Sequence, residues 1–353
     1  MPNLDGHNLH LNLEHTALSL TREDPVPLTI ELGLTSRCNH WCIYCAFDFK
    51  RPDKRVDTNT QVLLDWLAAI PKPYGATAKA YGGAIPRSFH LAGDGEPTCH
   101  PDFVEIVQAL HDRGFAIGLT TNGSKPEKLI KVAPYLAWCR FSVDAGTQEV
   151  YERIHGTIQA RIEQTFQTIY AVTLGASKTT TIGVQCLILD QPETDLIQLV
   201  DRCINAEVDY LAFKPYSQHP MSKSKVEVTA DSFVNRLGEN ESLSPGHTPY
   251  VVVRKVPPAK DYVGCLAAAS LFWVAGADGR FYPCAQFMGN QDWCFGDLNL
   301  QSYADIRCSP RRRSILRRLH EIKTSKCRHP CRCDHANRYL NRLDDPERSD
   351  AFL

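Results

Sequence analysis

Hydrophobic and polar positions alternate with two different periods along the first two-thirds of the chain. Short apolar runs rich in β-branched residues lie beside turn-forming residues, a pattern typical of strands. Between these runs, apolar residues recur at helical spacing, as in Phe103, Ile106, Val107 and Leu110. The predicted strands cover residues 28–34, 88–92, 116–121, 140–144, 181–187 and 210–215. The predicted helices cover residues 61–69, 101–113, 126–136, 161–174 and 194–206.

The alternation of strands with helices predicts the fold class. Such a pattern implies parallel βα units, and six units are enough for an α/β fold of the partial (β/α)6 TIM-like barrel type. Active sites of such barrels lie at the C-terminal ends of the strands. The predicted regions are an N-terminal extension over 1–26, the barrel over 27–230, a connector with limited structure over 231–262 and a small cysteine-rich domain over 263–353.

Composition narrows the class of protein. The formal net charge of -1 over 353 residues argues against a nucleic-acid binder. No run of 18 apolar residues predicts a membrane span, and the polar start lacks a secretory signal. We therefore expect a cytoplasmic protein whose thiols stay reduced. In that setting, 14 cysteines indicate metal or redox chemistry rather than disulfides.

Three thiols, those of Cys38, Cys42 and Cys45, follow the first predicted strand within one short loop. A four-iron cluster normally takes four protein thiolates, so three thiolates would leave one iron open to another ligand. The alternative is a structural zinc site with His40 as the fourth ligand. The residues alone leave both alternatives open.

The segment Cys38-x3-Cys42-x2-Cys45 resembles the signature of the radical S-adenosylmethionine (radical SAM) superfamily. The resemblance implies a [4Fe–4S] cluster whose open iron binds SAM. Reductive cleavage of SAM would give a 5′-deoxyadenosyl radical that abstracts hydrogen from a substrate. It also implies that Tyr44 lies near the adenine and that an electron donor such as flavodoxin or ferredoxin is a partner.

Later motifs extend the resemblance. The second strand is followed by a turn similar to the family's turn at the methionine amino group, although Asp94 replaces a glycine. The turn after the third strand and the end of the fourth strand also resemble family positions that contact SAM. The SAM-binding residues that the resemblance implies are Tyr44, Gly93, Asp94, Gly95, Glu96, Asn122, Ser142 and Asp144.

A second group of cysteines lies near the C-terminus. Two separated thiols followed by a close pair can form a four-thiolate cage for an iron–sulfur cluster or for zinc. The pattern resembles the SPASM and twitch modules of the same superfamily, which implies one auxiliary [4Fe–4S] cluster. Its implied ligands are Cys265, Cys284, Cys327 and either Cys331 or Cys333. Cys294 and Cys308 lack the close pairing expected for a second auxiliary cluster.

The other cysteines are expected to pack in the core as small hydrophobic residues. Two of them have a second interpretation. Cys99 follows the SAM-binding turn, and Cys186 lies on a strand that could face the active site. Either thiol could donate a hydrogen atom to a substrate radical, as in some epimerases of this superfamily.

The leading hypothesis for function is hydrogen abstraction from a small polar metabolite of the sugar, aminocyclitol or nucleotide type, giving oxidation or epimerisation. The short segment 1–26 argues against a leader-peptide-binding domain. The first alternative is a maturase that cross-links or epimerises a precursor peptide. The second is a non-catalytic, zinc-stabilised binding protein.

Overall fold

A ten-stranded sheet carries the fold of the computed structural model, which describes residues 9–21, 25–50, 55–73, 85–226, 250–253, 259–328 and 330–344. The strands follow one another in the order β10-β9-β8-β1-β2-β3-β4-β5-β6-β7. The strands are β1 Thr29–Leu32, β2 Ser88–Leu91, β3 Ala116–Thr121, β4 Trp138–Ser142, β5 Thr181–Ile188, β6 Tyr210–Pro215, β7 Tyr250–Val253, β8 Phe272–Ala275, β9 Arg280–Tyr282 and β10 Gly296–Asp297.

Amphipathic helices accompany the sheet, and several of them connect one strand to the next. The helices are α1 Leu13–Thr21, α2 Thr60–Ala68, α3 Phe103–Asp112, α4 Pro126–Val132, α5 Gln148–His155, α6 Ile162–Gly175, α7 Glu193–Asn205, α8 Tyr303–Cys308, α9 Pro310–His320 and α10 Asp334–Asp344. None of the described helices is long and apolar enough to cross a bilayer.

The parallel core of the sheet confirms the predicted α/β fold class. Strands β1 to β6 pair in chain order and in parallel. The strand expected over 140–144 begins earlier, at Trp138, because β3 and β5 pair with it from that residue. Helices α1 and α5 were not predicted. Helix α5 is short, and its ends are set by local signals: Thr147 caps its start and Gly156, at φ 56, ends it.

Two further sets of strands extend the sheet beyond the six predicted ones. Strand β7 lies inside the range predicted as a connector and pairs in parallel with β6; its Val251–Val253 run is β-branched. The rest of that range over 231–249 and 254–258 lies outside the described residues. At the other edge, β8 pairs in parallel with β1, and β9 and β10 continue antiparallel. The cysteine-rich region therefore shares the barrel's sheet.

Alternation along each strand separates an apolar layer from a polar interior. Phe89 and Phe141 are fully buried in the core, whereas His90 and Arg140 border an internal cavity. Neighbouring strand residues point to opposite faces, so one face packs on helices and the other faces the barrel interior. The barrel interior is thus polar at the level where the active site is expected.

Candidate active site

The loop with the first three cysteines is fixed by backbone contacts on both sides. It follows β1, and the Ser36 amide donates to Val56 at 2.8 Å. The Arg37 carbonyl accepts from the Glu96 amide at 2.8 Å. Cys38, Cys42 and Cys45 are all half-buried on this loop. The loop therefore presents its thiols from a positioned backbone.

A histidine that the sequence analysis missed contacts one of these thiols. His155 Nε2 accepts from the Asp144 amide at 3.1 Å, so the ring proton is on Nδ1. That nitrogen lies 3.5 Å from Cys42 Sγ. Burial lowers the pKa of His155 well below its usual value and keeps the ring neutral, and burial also raises the pKa of the Cys42 thiol. His155 is thus a hydrogen-bond donor to Cys42, a predicted cluster ligand. Its position at the end of an unpredicted helix gave no local signal.

The spacing of possible ligand atoms tests the zinc alternative. Sulfur ligands around a tetrahedral zinc, with Zn–S of about 2.3 Å, lie about 3.8 Å apart. Within the described ranges, the set of three ligand atoms within 4.8 Å of one another is His40, Cys42 and His155. Neither cysteine group places three thiols so close together. No group of three thiols in the described residues therefore has the spacing that a single tetrahedral zinc ion requires.

The glycine turn after β2 packs directly on the cysteine loop. A Cβ on Gly95 would lie 2.3 Å from the Thr35 carbonyl oxygen and 2.5 Å from that of Arg37. Glu96 then joins two strand ends: its buried carboxylate accepts from Thr121 Oγ1 and from the Asn122 amide, both at 2.7 Å. Close backbone approach therefore explains the glycine, and structural hydrogen bonds occupy the Glu96 carboxylate.

A cavity of about 170 Å³ lies between this turn and the thiols Cys38 and Cys42. Its wall includes these residues of the predicted SAM-binding set: Tyr44, Gly93, Gly95, Glu96, Asn122 and Ser142.

Two residues of the predicted SAM-binding set, Asp94 and Asp144, are not among the residues that line this cavity. The Asp94 carboxylate accepts from the Ala277 amide at 3.3 Å, so it joins the turn to the C-terminal part of the sheet. Asp144 is buried behind the cavity wall and accepts from the Leu187 amide at 2.5 Å. Burial raises the pKa of Asp144 to about 7, although Leu187 and Tyr44 donate to it.

The C-terminal cysteines converge from three separate segments. Burial is the largest cause that raises the pKa of Cys284. The neighbouring thiols raise it further; they are Cys265, Cys331 and Cys327. Asn337 holds one of these segments, since its Nδ2 donates to Cys265 Sγ at 3.3 Å and its Oδ1 accepts from the backbone amides of residues 266 and 267. The tertiary structure therefore brings the predicted auxiliary ligands together.

Cys331 and Cys333 contact each other, and their environments differ. A hydrogen bond from Cys333 lowers the pKa of Cys331 to about 6. Cys333 is buried in a small apolar cluster with Leu266 and Leu340. Cys331 is half-buried, whereas Cys333 is buried in that apolar cluster, so Cys331 is the candidate that we carry forward for the fourth position. Cys294 packs beside Val274 and Tyr282 instead, and Cys308 is exposed.

One larger cavity, of about 320 Å³, joins the two cysteine sites. Tyr44, Gly93 and Ser142 line both this cavity and the smaller one. Cys284 and Cys331 line its opposite side. A molecule in this cavity would lie between the SAM side and the auxiliary side.

Polar residues of the strands and of the auxiliary loop also line this cavity, and the sequence analysis missed them. Arg332 donates to Glu31 Oε2 at 2.6 and 2.7 Å, and His90 Nδ1 lies 2.9 Å from the same oxygen. Burial alone would raise the pKa of Glu31, but Arg332 and His90 outweigh it and lower that pKa to about 2. The sequence did contain a signal for Glu31 and His90, because charged or polar residues stand at alternate positions of strands that are otherwise apolar.

The two predicted hydrogen-atom donors lie elsewhere. Cys186 is fully buried in the core, while its strand neighbours Gln185 and Leu187 line the cavity. Strand alternation thus points the Cys186 thiol away from a substrate. Cys99 lines an outer groove with Arg37 and Cys38, and neither cavity described above includes it. A hydrogen-atom donor should line one of the two cavities described above, and neither Cys99 nor Cys186 does so.

Comparisons with known proteins agree with this geometry. The radical SAM superfamily model matches residues 32–201, and the SPASM iron–sulfur cluster-binding domain model matches residues 265–334. The tungsten-containing aldehyde ferredoxin oxidoreductase cofactor-modifying protein of Pyrococcus furiosus is 24% identical over 290 residues, which is 78% of this chain and 77% of that protein.

A second relative and a solved structure extend the comparison. The PqqA peptide cyclase of Ruegeria pomeroyi is 31% identical over 135 residues, 37% of this chain and only 33% of that enzyme. The crystal structure of Streptococcus suis SuiB bound to precursor peptide SuiA superposes with a TM-score of 0.65 at 16% identity, covering 96% of this chain and 78% of SuiB. The chain therefore belongs to the radical SAM superfamily, has a C-terminal SPASM domain, and uses SAM and [4Fe–4S] clusters as cofactors.

Proposed function

We propose that this radical SAM enzyme is a maturase that oxidatively modifies a residue of a polypeptide. The observation that carries the proposal is the cavity of about 320 Å³ that Tyr44 and Ser142 line on one side and Cys284 and Cys331 on the other. A substrate residue held there lies between a source of hydrogen-abstracting radicals and an electron acceptor. That arrangement suits a net two-electron oxidation.

The chain's own residues divide the work between the two sides. Cys38, Cys42 and Cys45 would hold the SAM-binding cluster, and bound SAM supplies the 5′-deoxyadenosyl radical. On the other side, Cys265, Cys284, Cys327 and Cys331 would hold one auxiliary cluster. Cys38 and Cys42 line the smaller cavity, and Cys284 and Cys331 line the larger one. Their half-buried positions would keep the clusters close to a substrate while limiting contact with water.

Peptide-modifying enzymes among the sequence relatives support a polypeptide substrate, while nucleotide-modifying enzymes such as the probable GTP 3',8-cyclase of Saccharolobus islandicus match as well, at 30% identity over 36% of this chain. The PqqA peptide cyclases of two bacteria match this chain at 31% and 29% identity. Both matches cover about a third of those enzymes, so the support that they give is limited to the matched part of the chain. The cytoplasmic location and a flavodoxin- or ferredoxin-type electron donor belong to the same proposal, because the clusters need reduced thiols and a one-electron reductant.

The test uses the full chain, reconstituted anaerobically with iron and sulfide. Short open reading frames beside the gene are expressed as candidate polypeptides and incubated with enzyme, SAM and a reductant. Mass spectrometry should show a polypeptide that loses two hydrogens while 5′-deoxyadenosine accumulates. The same polypeptide with a Cys42→Ala enzyme should remain unmodified. If no polypeptide changes while a metabolite from a cell extract is oxidised, the proposal is wrong.

A small polar metabolite remains the second candidate because of the charge of the cavity. Arg140, Lys214, Arg328 and Arg332 line it together with the single carboxylate of Glu31. Such an excess of cationic side chains suits a phosphate or carboxylate group on a small substrate. The volume of about 320 Å³ is also at the lower end of the range for small-molecule sites. Substrate-dependent 5′-deoxyadenosine formation with a fractionated extract would identify such a metabolite.

A further inference from the structure

A continuous chain of hydrogen bonds crosses the barrel interior from β4 to the auxiliary loop. Arg140 Nη2 donates to Thr120 Oγ1 at 3.1 Å, and Thr120 Oγ1 lies 2.9 Å from His90 Nε2. His90 Nδ1 lies 2.9 Å from Glu31 Oε2. The same carboxylate oxygen accepts from both terminal nitrogens of Arg332 at 2.6 and 2.7 Å. Arg332 lies between Cys331 and Cys333 in the sequence.

The donors and acceptors along this chain fix the state of the histidine. Glu31 can only accept, so the His90 proton is on Nδ1 and Nε2 carries the lone pair. Thr120 accepts from Arg140 and can therefore direct its own proton to His90 Nε2. The cavity touches every member of this chain, including His90 and Thr120. The histidine is thus a neutral base whose lone pair points at the Thr120 hydroxyl, and both residues line the cavity.

Sheet geometry holds these residues together. Glu31 and His90 are direct partners in the β1–β2 pairing, and Thr120 pairs with Arg140. His90 faces Gly118, where a Cβ would lie 2.2 Å from the Trp138 ring. The absence of a side chain there lets the indole reach His90, with ring centroids 4.9 Å apart. The imidazole therefore has one supported orientation.

We propose that His90 accepts the proton that is released when the substrate radical is oxidised, with Thr120 as the relay. This inference rests on the proposed function. Hydrogen abstraction converts the 5′-deoxyadenosyl radical into 5′-deoxyadenosine and leaves a substrate radical. The auxiliary [4Fe–4S] cluster, when bound, would accept one electron from that radical. The released proton would pass to Thr120 Oγ1 while the Thr120 hydroxyl proton moves to His90 Nε2, which completes a two-electron oxidation. The imidazolium formed is paired with Glu31 at 2.9 Å.

The electrostatic surroundings couple the proton to the electron. Burial lowers the pKa of His90, Glu31 opposes this, and Arg332 and Arg140 lower it further, so the base is neutral before the reaction. Arg332 also interacts with the charges of Cys333, Cys284 and Cys331. An electron added among those thiolates weakens the positive field at His90. The pKa of His90 then rises. His90 therefore takes up the proton at the same step in which the substrate radical gives up its electron.

The test needs no substrate. The full chain is loaded with both clusters, about eight irons, and the auxiliary cluster is titrated by EPR-monitored potentiometry between about pH 5 and 9. Wild-type enzyme should show a potential that falls as pH rises, approaching a tenfold change in the reduction equilibrium per pH unit, or about 59 mV. His90→Gln should give a potential that does not change with pH.

His219→Gln is the matched control. His219 is another buried histidine near the auxiliary side, with Nε2 3.0 Å from the Ala285 carbonyl, but it lies outside the hydrogen-bond chain. This variant should keep the wild-type slope. A pH-independent wild-type potential, or a slope that persists in His90→Gln, would overturn the assignment of His90.

A second variant covers the case in which His90→Gln does not fold. Glu31→Gln removes the carboxylate that stabilises the imidazolium, so the pH-dependent range should move to lower pH; an unchanged range contradicts the proposal. The measurement distinguishes a failure of the His90 proposal from a failure of the proposed oxidative function. Eight irons with a flat potential would remove only the role of His90, whereas the absence of any auxiliary cluster would remove the oxidative function itself.

Discussion

The first cysteine site lies within residues 38–45 of one loop, whereas the second draws its thiols from three segments between Cys265 and Cys333. The first is held by short contacts to the turn at Gly95. The second depends on the sheet extension of β8 to β10 and on Asn337 in α10. A local site tolerates changes elsewhere in the chain, but a site assembled from distant segments fails when any of them moves.

The largest expected effect is that of Cys42→Ala. The variant should lose SAM cleavage completely, because its cluster loses one of three thiolates and the hydrogen bond from His155. The auxiliary cluster should remain, so iron should fall from about eight to about four per chain. Anaerobic iron analysis and 5′-deoxyadenosine assays measure both quantities. Continued SAM cleavage would mean that the first site is misassigned.

Cys284→Ala should have the next largest effect. It should remove the auxiliary cluster and product formation but leave part of the SAM cleavage, because the two cysteine groups are separate. Iron should again fall to about four per chain. Cys294→Ala is the matched control, since that thiol packs beside Val274 and Tyr282 away from the predicted ligands. Equal losses in the two variants would show that Cys294 also binds a cluster.

The pair Cys331→Ala and Cys333→Ala sharpens the ligand assignment of the second site. Cys331, which is half-buried, should be required for auxiliary iron. Cys333→Ala should keep most of the iron and lose some stability, because the buried side chain shrinks in an apolar cluster. Iron content and the EPR signal of the reduced cluster decide between them. The reverse result would make Cys333 the ligand.

The smallest expected effect concerns the packing of the first site. Gly95→Ala would place a Cβ 2.3 Å from a backbone oxygen, and we expect it to lower the free energy of unfolding by about 3 kcal/mol. Gly175→Ala is the control, since its Cβ would meet nothing closer than 3.9 Å at the end of α6. That change should stabilise by up to about 1 kcal/mol. Denaturant titration of both variants tests the difference, and similar stabilities would contradict the close approach at Gly95.

The correct part of the sequence-based predictions concerned features with short sequence range. The parallel βα alternation and the cysteine motif that marks the superfamily depend on neighbours within one or two elements. The ligand roles of Cys38, Cys42 and Cys45 and the role of the turn at Gly93 stay predictions. The structure departs from the predictions where distant strands meet. Strand β7 lies in the range expected to be a connector, because β6 supplies a pairing edge. Cys186 packs in the core, as its first interpretation expected, and strand alternation turns it away from the cavity that the donor interpretation requires.

The sequence by itself determined the superfamily, the fold class and the residues that can bind iron, because spacing and periodicity are local properties of the chain. The tertiary structure alone decided what those residues face. Glu31, His90, Thr120 and Arg332 become neighbours only when β1, β2, β3 and the auxiliary loop meet around one cavity. Pairing between strands and packing between distant segments set such contacts, and no spacing within a single segment encodes them.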